Sequence, residues 1–124
     1  MNKPEVTMNN EPPNGNLIAT EKAIQASAEA ISMARRVPAP LKPIADQVIR
    51  SASSVPANLS EGHGRSGRDR LHHWRIAYAS AKEVDSHLRL LCISGAVHRD
   101  NATTALNLFD DVRAITWRLL HPTT

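Results

Sequence analysis

One run of apolar residues constrains this chain more than any other feature. Leu41, Ala45, Val48, Ala52, Val55 and Leu59 stand at separations that alternate strictly between four and three. That spacing puts all six on one face of a helix, as a heptad-like seam. The run crosses Pro56 without a slip of phase. A proline inside a helix removes the hydrogen bond to the carbonyl four residues back, here Ala52, and bends or ends the helix. A helix that ended at Pro56 would normally also end the pattern. The seam therefore predicts a single helix, from Pro40 or Leu41 to about Glu61, kinked at Pro56. The hydroxyls of Ser53 and Ser54 are placed to satisfy part of the freed backbone. Gly62 and Gly64 then supply the stop and the turn.

Similar seams flank this one. Trp74, Ala77, Ala81, Val84, Leu88 and Leu91 form one, in a segment that stays helix-compatible to about Ser94. Ser66 followed by Asp69 resembles a capping box at its start, and Gly95 suits its end. Ala105, Leu108, Val112, Ile115 and Leu119 form another, between Asp100 or Asn101 and His121. Ahead of Pro38 and Pro40, an alanine-rich helix is expected from about Thr20, as N-cap, to Arg36. Its inner stripe would be Ile24, Ala28, Ile31 and Ala34 or Arg35. Residues 1–18 carry three prolines and five asparagines with little to bury, and read as a disordered lead-in to a bundle over 19–122. No segment alternates with period two between hairpin turns. The expected fold is all-α: an antiparallel up-down-up-down four-helix bundle. A second apolar stripe, Leu90, Ile93 and Val97 with Leu106, Trp117 and Leu120, fits either a wide core face or a subunit interface.

Composition narrows the function classes. Aromatic residues make up 3% of the chain, which argues against a sheet that stacks bases on exposed rings. The single cysteine, Cys92, excludes an internal disulfide and a multi-cysteine zinc site. It reads as a small buried hydrophobe. No apolar run is long enough to span a membrane and no signal-peptide pattern opens the chain, so a cytoplasmic protein is expected. The formal charge is +3, but it is unevenly placed. Between Gly62 and Lys82, five cations stand against Asp69, a local +4 that leaves −1 for everything else.

Those five cations, Arg65, Arg68, Arg70, Arg75 and Lys82, are the candidate nucleic-acid contacts. Arg65, Arg68 and Arg70 flank a helix N-terminus, which already favours anions, Arg75 follows about one and a half turns further along, and guanidinium groups suit phosphate. The competing reading is a solvated helix start whose arginines pair with nearby acids. His63, His72 and His73 lie in the same window. Adjacent histidines on one helix diverge by about 100°, and Ile76 and Ala77 occupy the i+4 positions, so no metal site is expected. Asn58, Ser60, Glu61, Ser80 and Glu83 form a polar set that an antiparallel bundle can bring level near the turn. Glu61 and Glu83 would be the acids of an RNA-processing enzyme. The alternative is a polar network that fixes register and braces the proline, with Arg50 as counter-ion. With no nucleophile–base pair and no glycine loop, the chain is expected to be no enzyme and to need no cofactor.

Ser54-Val-Pro-Ala-Asn-Leu-Ser-Glu-Gly-x-Gly-Arg65, with Gln47 and Arg50–Ala52 before it and Ile76-Ala77-x-Ala79-Ser80-Ala81-x-Glu83 after it, resembles a known signature. It is similar to that of the four-helix-bundle proteins encoded in intervening sequences of bacterial 23S ribosomal RNA genes. The likeness covers roughly Ala19 to Leu120. Ala79 stands where that family usually has glycine, and the first helix lacks its expected aromatics. In motif terms Arg50, Pro56, Asn58, Glu61, Gly62, Ser80 and Glu83 are the structural positions. The resemblance implies a non-enzymatic ring, with five as the favoured number of subunits. It also implies kinship in fold with the accessory variability protein of diversity-generating retroelements, which is thought to bind a reverse transcriptase and nucleic acid. Two functions follow as expectations. One is a homo-oligomer that binds RNA or DNA through the basic cluster. The other is an adaptor that docks a protein partner without touching nucleic acid.

Overall fold

The computed structural model describes residues 14–123. They form four α-helices: α1 (Asn14–Ala34), α2 (Lys42–His63), α3 (Gly67–Ile93) and α4 (Arg99–Leu120). A short 3-10 helix, Ala39–Leu41, precedes α2. No strand occurs among the described residues. Each helix packs on the next, and α4 closes against α1. Cross-helix contacts show that neighbours run antiparallel. Asn16 bonds to Leu59 while Ser27 bonds to Ala52, so numbers fall on α2 as they rise on α1. Gly15 lies against Ile115 and Leu119, whereas Lys22 reaches Asp111. The expected all-α four-helix bundle is the observed fold.

The seams of α2 and α3 lie where their spacing puts them. Ala45, Val48, Ala52, Val55 and Leu59 are buried, as are all six positions from Trp74 to Leu91. On α4 the buried line is Ala102, Ala105, Phe109, Val112 and Thr116, while Leu108, Ile115 and Leu119 sit half-buried beside it. On α1 the expected stripe holds at Ala34 and, half-buried, at Ile31, but not at its first two positions. Ile24 is half exposed and Ala28 exposed, while Ala19, Ala23, Ala26, Ala30 and Ala34 face the core. The small residues win because they let α1 approach its neighbours closely, and their own spacing is four, three, four and four. α1 also begins at Asn14, six residues ahead of Thr20. Residues 14–18 of the expected lead-in are thus helical, and 1–13 lie outside the described residues. Thr20 is no cap: its hydroxyl donates to the Asn16 carbonyl, 2.7 Å, inside the helix.

α2 stays helical across Pro56 as expected, from Lys42 to His63, but three local expectations change. The carbonyl that the proline orphans, Ala52 O, accepts a 2.7 Å hydrogen bond from Ser27 Oγ of α1. Ser53 and Ser54 do not serve it: Ser53 Oγ donates to Arg50 O, and Ser54 Oγ points toward α3. Ser66 is the N-cap residue of α3, but its side chain makes no capping bond, and Gly67 takes a positive φ of 59°. At the other end of α3, the N–H groups of Gly95 and Ala96 bond to the carbonyls of Cys92 and Leu91. With Gly95 at φ 84°, that is a Schellman ending. Val97, expected on the second stripe, is buried beneath this turn.

Candidate nucleic-acid interface

The five cations separate into two groups. Arg65 and Arg70 are bound into the turn between α2 and α3. Arg65 Nε donates to Glu61 Oε2 at 3.0 Å, and its Nη1 lies 3.8 Å from Asp69 Oδ2. Arg70 Nε donates to the Gly62 carbonyl at 3.0 Å, and its guanidinium stands 5.7 Å from the centre of the Trp74 ring. For Arg65 the helix-start reading holds, and Arg70 is held by a carbonyl and a ring. Arg68, Arg75 and Lys82 are different. They are exposed and have no carboxylate partner among the described residues. Seven residues separate each from the next, so in a straight helix each lands within about 20° of the last. They make a basic ridge about 21 Å long on the outer face of α3. Exposed His72 lies on the same face, and Lys82 Nζ sits 6.0 Å from the centre of the Tyr78 ring.

The turn owes its shape to Gly62. This glycine has no positive φ and sits inside α2, so it is neither stop nor turn. It is needed because the Trp74 ring lies flush against its α-carbon: an added Cβ would meet ring atoms Cδ1 and Nε1 at 2.6 Å. The close approach also brings Arg70 within reach of the Gly62 carbonyl.

The polar set divides as well. Asn58 Nδ2 donates to Ser54 O and Ser54 Oγ, and Ser80 Oγ donates to Ser54 Oγ at 2.9 Å. That leaves Asn58 Oδ1 facing His73 Nδ1 at 3.0 Å. An amide oxygen only accepts, so Nδ1 carries the proton. Ser54, Asn58, His73 and Ser80 thus tie α2 to α3 beside Pro56. Glu61 and Glu83 do not join them. Glu61 is paired with Arg65, and Glu83 Oε2 lies 3.5 Å from His87 on its own helix. The Ser54–Ser80 contact sets Glu83 level with about Ser51, which leaves the two carboxylates about 15 Å apart along the bundle. They do not stand level, as the acid-pair reading required. Arg50 is exposed and is no counter-ion to this network; its guanidinium has no ion-pair partner among the described residues. Ser60 is also exposed.

An ion cluster that sequence reading missed joins α3 to α4. Asp85, 6% exposed, accepts from Arg89 Nε at 2.6 Å and from Arg113 Nη1 at 2.9 Å. Arg113 Nη2 also donates to Asp110 Oδ1 at 2.6 Å. Burial works against the Arg113 charge, but hydrogen bonds and charge from Asp110 and Asp85 outweigh it and hold the guanidinium above its ordinary range. A signal was present: Asp85 adjoins the seam residue Val84 and has Arg89 at i+4. Cys92 is partly buried with a free thiol. Burial pushes that thiol up, countered in part by the Arg99 and Arg89 charges. Among the described residues no group of three or more histidine, cysteine or acidic side chains could hold a metal ion, and no helix is long and apolar enough to cross a membrane.

Fold and surface together define a small all-α bundle with one basic outer ridge and a turn locked by glycine, tryptophan and arginine. The chain belongs to the family of 23S rRNA-intervening sequence proteins, whose family model matches residues 15–118. Its fold is similar to the crystal structure of a protein of unknown function from the S23 ribosomal protein family of Bacteroides thetaiotaomicron. The TM-score is 0.77 at 18% identity, over 86% of this chain and 97% of that one. No curated protein matches the chain.

Proposed function

We propose that this chain is a non-enzymatic, cytoplasmic homo-oligomer that binds nucleic acid along the outer face of α3. One observation carries the reading: Arg68, Arg75 and Lys82 stand in line on an exposed face, with no carboxylate of the described residues neutralising them. Such a line suits the phosphate backbone of RNA or DNA, and its affinity comes from releasing condensed counterions. Arg65 and Arg70 shape the end of the ridge and add to its field. Exposed Leu17, Ile18 and Ile24 on α1, and Leu90 and Ile93 at the end of α3, offer apolar surface for self-association. Five subunits is the number the family likeness suggests.

The test is retention of labelled RNA and DNA at low salt by the protein and by an R68Q/R75Q/K82Q variant. The variant is expected to release both, while an R35Q/R36Q control at the far end of the bundle keeps them. Equal retention by all three proteins would remove the ridge from the account. The adaptor reading draws on part of the same apolar surface: Ile93 is 87% exposed, with Leu90 close by on the same helix. A protein that carries no nucleic acid from its host but holds one defined polypeptide would favour it.

A further inference from the structure

The groove beside the basic ridge is not purely electrostatic. It runs between α3 and α4 and is lined by Tyr78, Asp110, Arg113, Ala114, Trp117 and Arg118. Trp117 is 49% exposed, a large apolar ring held in water at the basic end of the bundle. One neighbour stacks on it: the His121 ring lies 4.2 Å away, centre to centre, at 24°. His121 is itself fixed by a 2.9 Å contact between its Nδ1 and the Trp117 carbonyl. The pair is therefore a preformed platform rather than two loose rings. Tyr78 lines the same groove and touches the ridge through Lys82. The Asp85–Arg113 bond sets the register of α3 against α4 and puts Lys82 level with about Thr116 and Trp117. Arg75 lies about 10 Å further along, toward the end of α4.

Charge in the groove favours an anion. Asp110 is bound to Arg113, Asp85 to Arg113 and Arg89, and Asp111 to Lys22. Arg75, Lys82 and Arg118 are exposed and have no carboxylate partner among the described residues. Stackable rings beside a line of uncommitted cations are the two parts of a single-strand site. Bases stack on the rings whatever their identity, and the cations follow the backbone. A duplex offers its phosphates but keeps its bases stacked on one another, so it has no use for the rings.

We infer that the α3–α4 groove takes a single nucleic-acid strand, with bases stacked on the Trp117–His121 platform and Tyr78 and phosphates held by Arg75, Lys82 and Arg118. The inference rests on the nucleic-acid reading above and names its substrate class. It is tested by fluorescence anisotropy with labelled 20-mers of U and of dT and with a 20-base-pair duplex, all at low salt. The single strands should bind more tightly than the duplex. Trp117→Ala should weaken single-strand binding about 5- to 150-fold, the loss expected for one stacked base, and leave duplex binding unchanged. Trp117→Phe should restore most of it. In the unaltered protein Trp74 is buried, so bound strand should quench the exposed indole of Trp117 and shield it from acrylamide. Equal affinity for strand and duplex, with W117A silent, would overturn the inference and leave the ridge reading standing. A W117A protein whose subunits dissociate while strand binding persists would likewise overturn it, by making Trp117 a subunit contact. Failure of every nucleic acid to bind would take both readings down.

Discussion

A Cβ added to Gly62 would sit 2.6 Å from two atoms of the Trp74 ring and 3.2 Å from the Arg70 carbonyl. Backbone and a buried indole cannot yield as a flexible side chain would. Gly62→Ala is therefore expected to destabilise the protein by about 1–3 kcal/mol through overpacking, a loss reduced by alanine's better helix propensity. Gly64→Ala, whose nearest neighbour is 3.8 Å away, is expected to be near neutral. Chemical denaturation of the two variants checks the contrast, and equal losses would contradict it. The same two residues show what sequence reading can reach. Both look like punctuation between helices, and only the position of Trp74 on the next helix tells them apart. Likewise Arg65 and Arg70 cannot be distinguished from Arg68 and Arg75 by composition. Pairing across the turn separates them, and a turn's geometry is not written in a charge count.

At the scale of the helix, the seams of α2 and α3 were legible, and those of α1 and α4 only in part. The α2 and α3 stripes follow from spacing alone, because Leu, Val and Trp leave little doubt about which face is apolar. On α1, Ile24 and Ile31 drew the stripe toward bulk, while the close-packed face is alanine. Pro56 was legible as an oddity, but its partner was not: Ser27 lies 29 residues earlier and meets Ala52 only once α1 and α2 pack. Ser27→Ala is expected to cost about 1–3 kcal/mol, since it leaves the buried Ala52 carbonyl unpaired. Pro56→Ala restores an N–H that can bond to that carbonyl. In the Pro56→Ala background the Ser27→Ala loss should shrink by at least half, a coupling that a double-mutant cycle measures. Undiminished loss would show that Ser27 does not serve the proline. Asp85, near-buried between two arginines, was signalled only by Arg89 at i+4, since Arg113 reaches it from another helix.

At the scale of the molecule, the architecture was legible and the surface only in part. Repeating seams and short connections specify an antiparallel bundle, yet which apolar residues are left outside depends on how the helices rotate about their axes. That rotation exposes Ile24 and Leu90, while the turn after α3 buries Val97. Light scattering at micromolar concentration is expected to show an assembly of several subunits, weakened by Ile24→Glu with Ile93→Glu; a monomer would contradict the self-association proposed here. The ridge itself is tested most directly by the salt dependence of binding. The logarithm of the association constant for a nucleic acid should fall linearly with the logarithm of salt concentration, by about 0.7–0.9 per phosphate contact. Between the unaltered protein and R68Q/R75Q/K82Q, the slope should become shallower by about 2–3 per ridge, one step for each cation removed. An unchanged slope would contradict the claim that these three residues are where the protein meets nucleic acid.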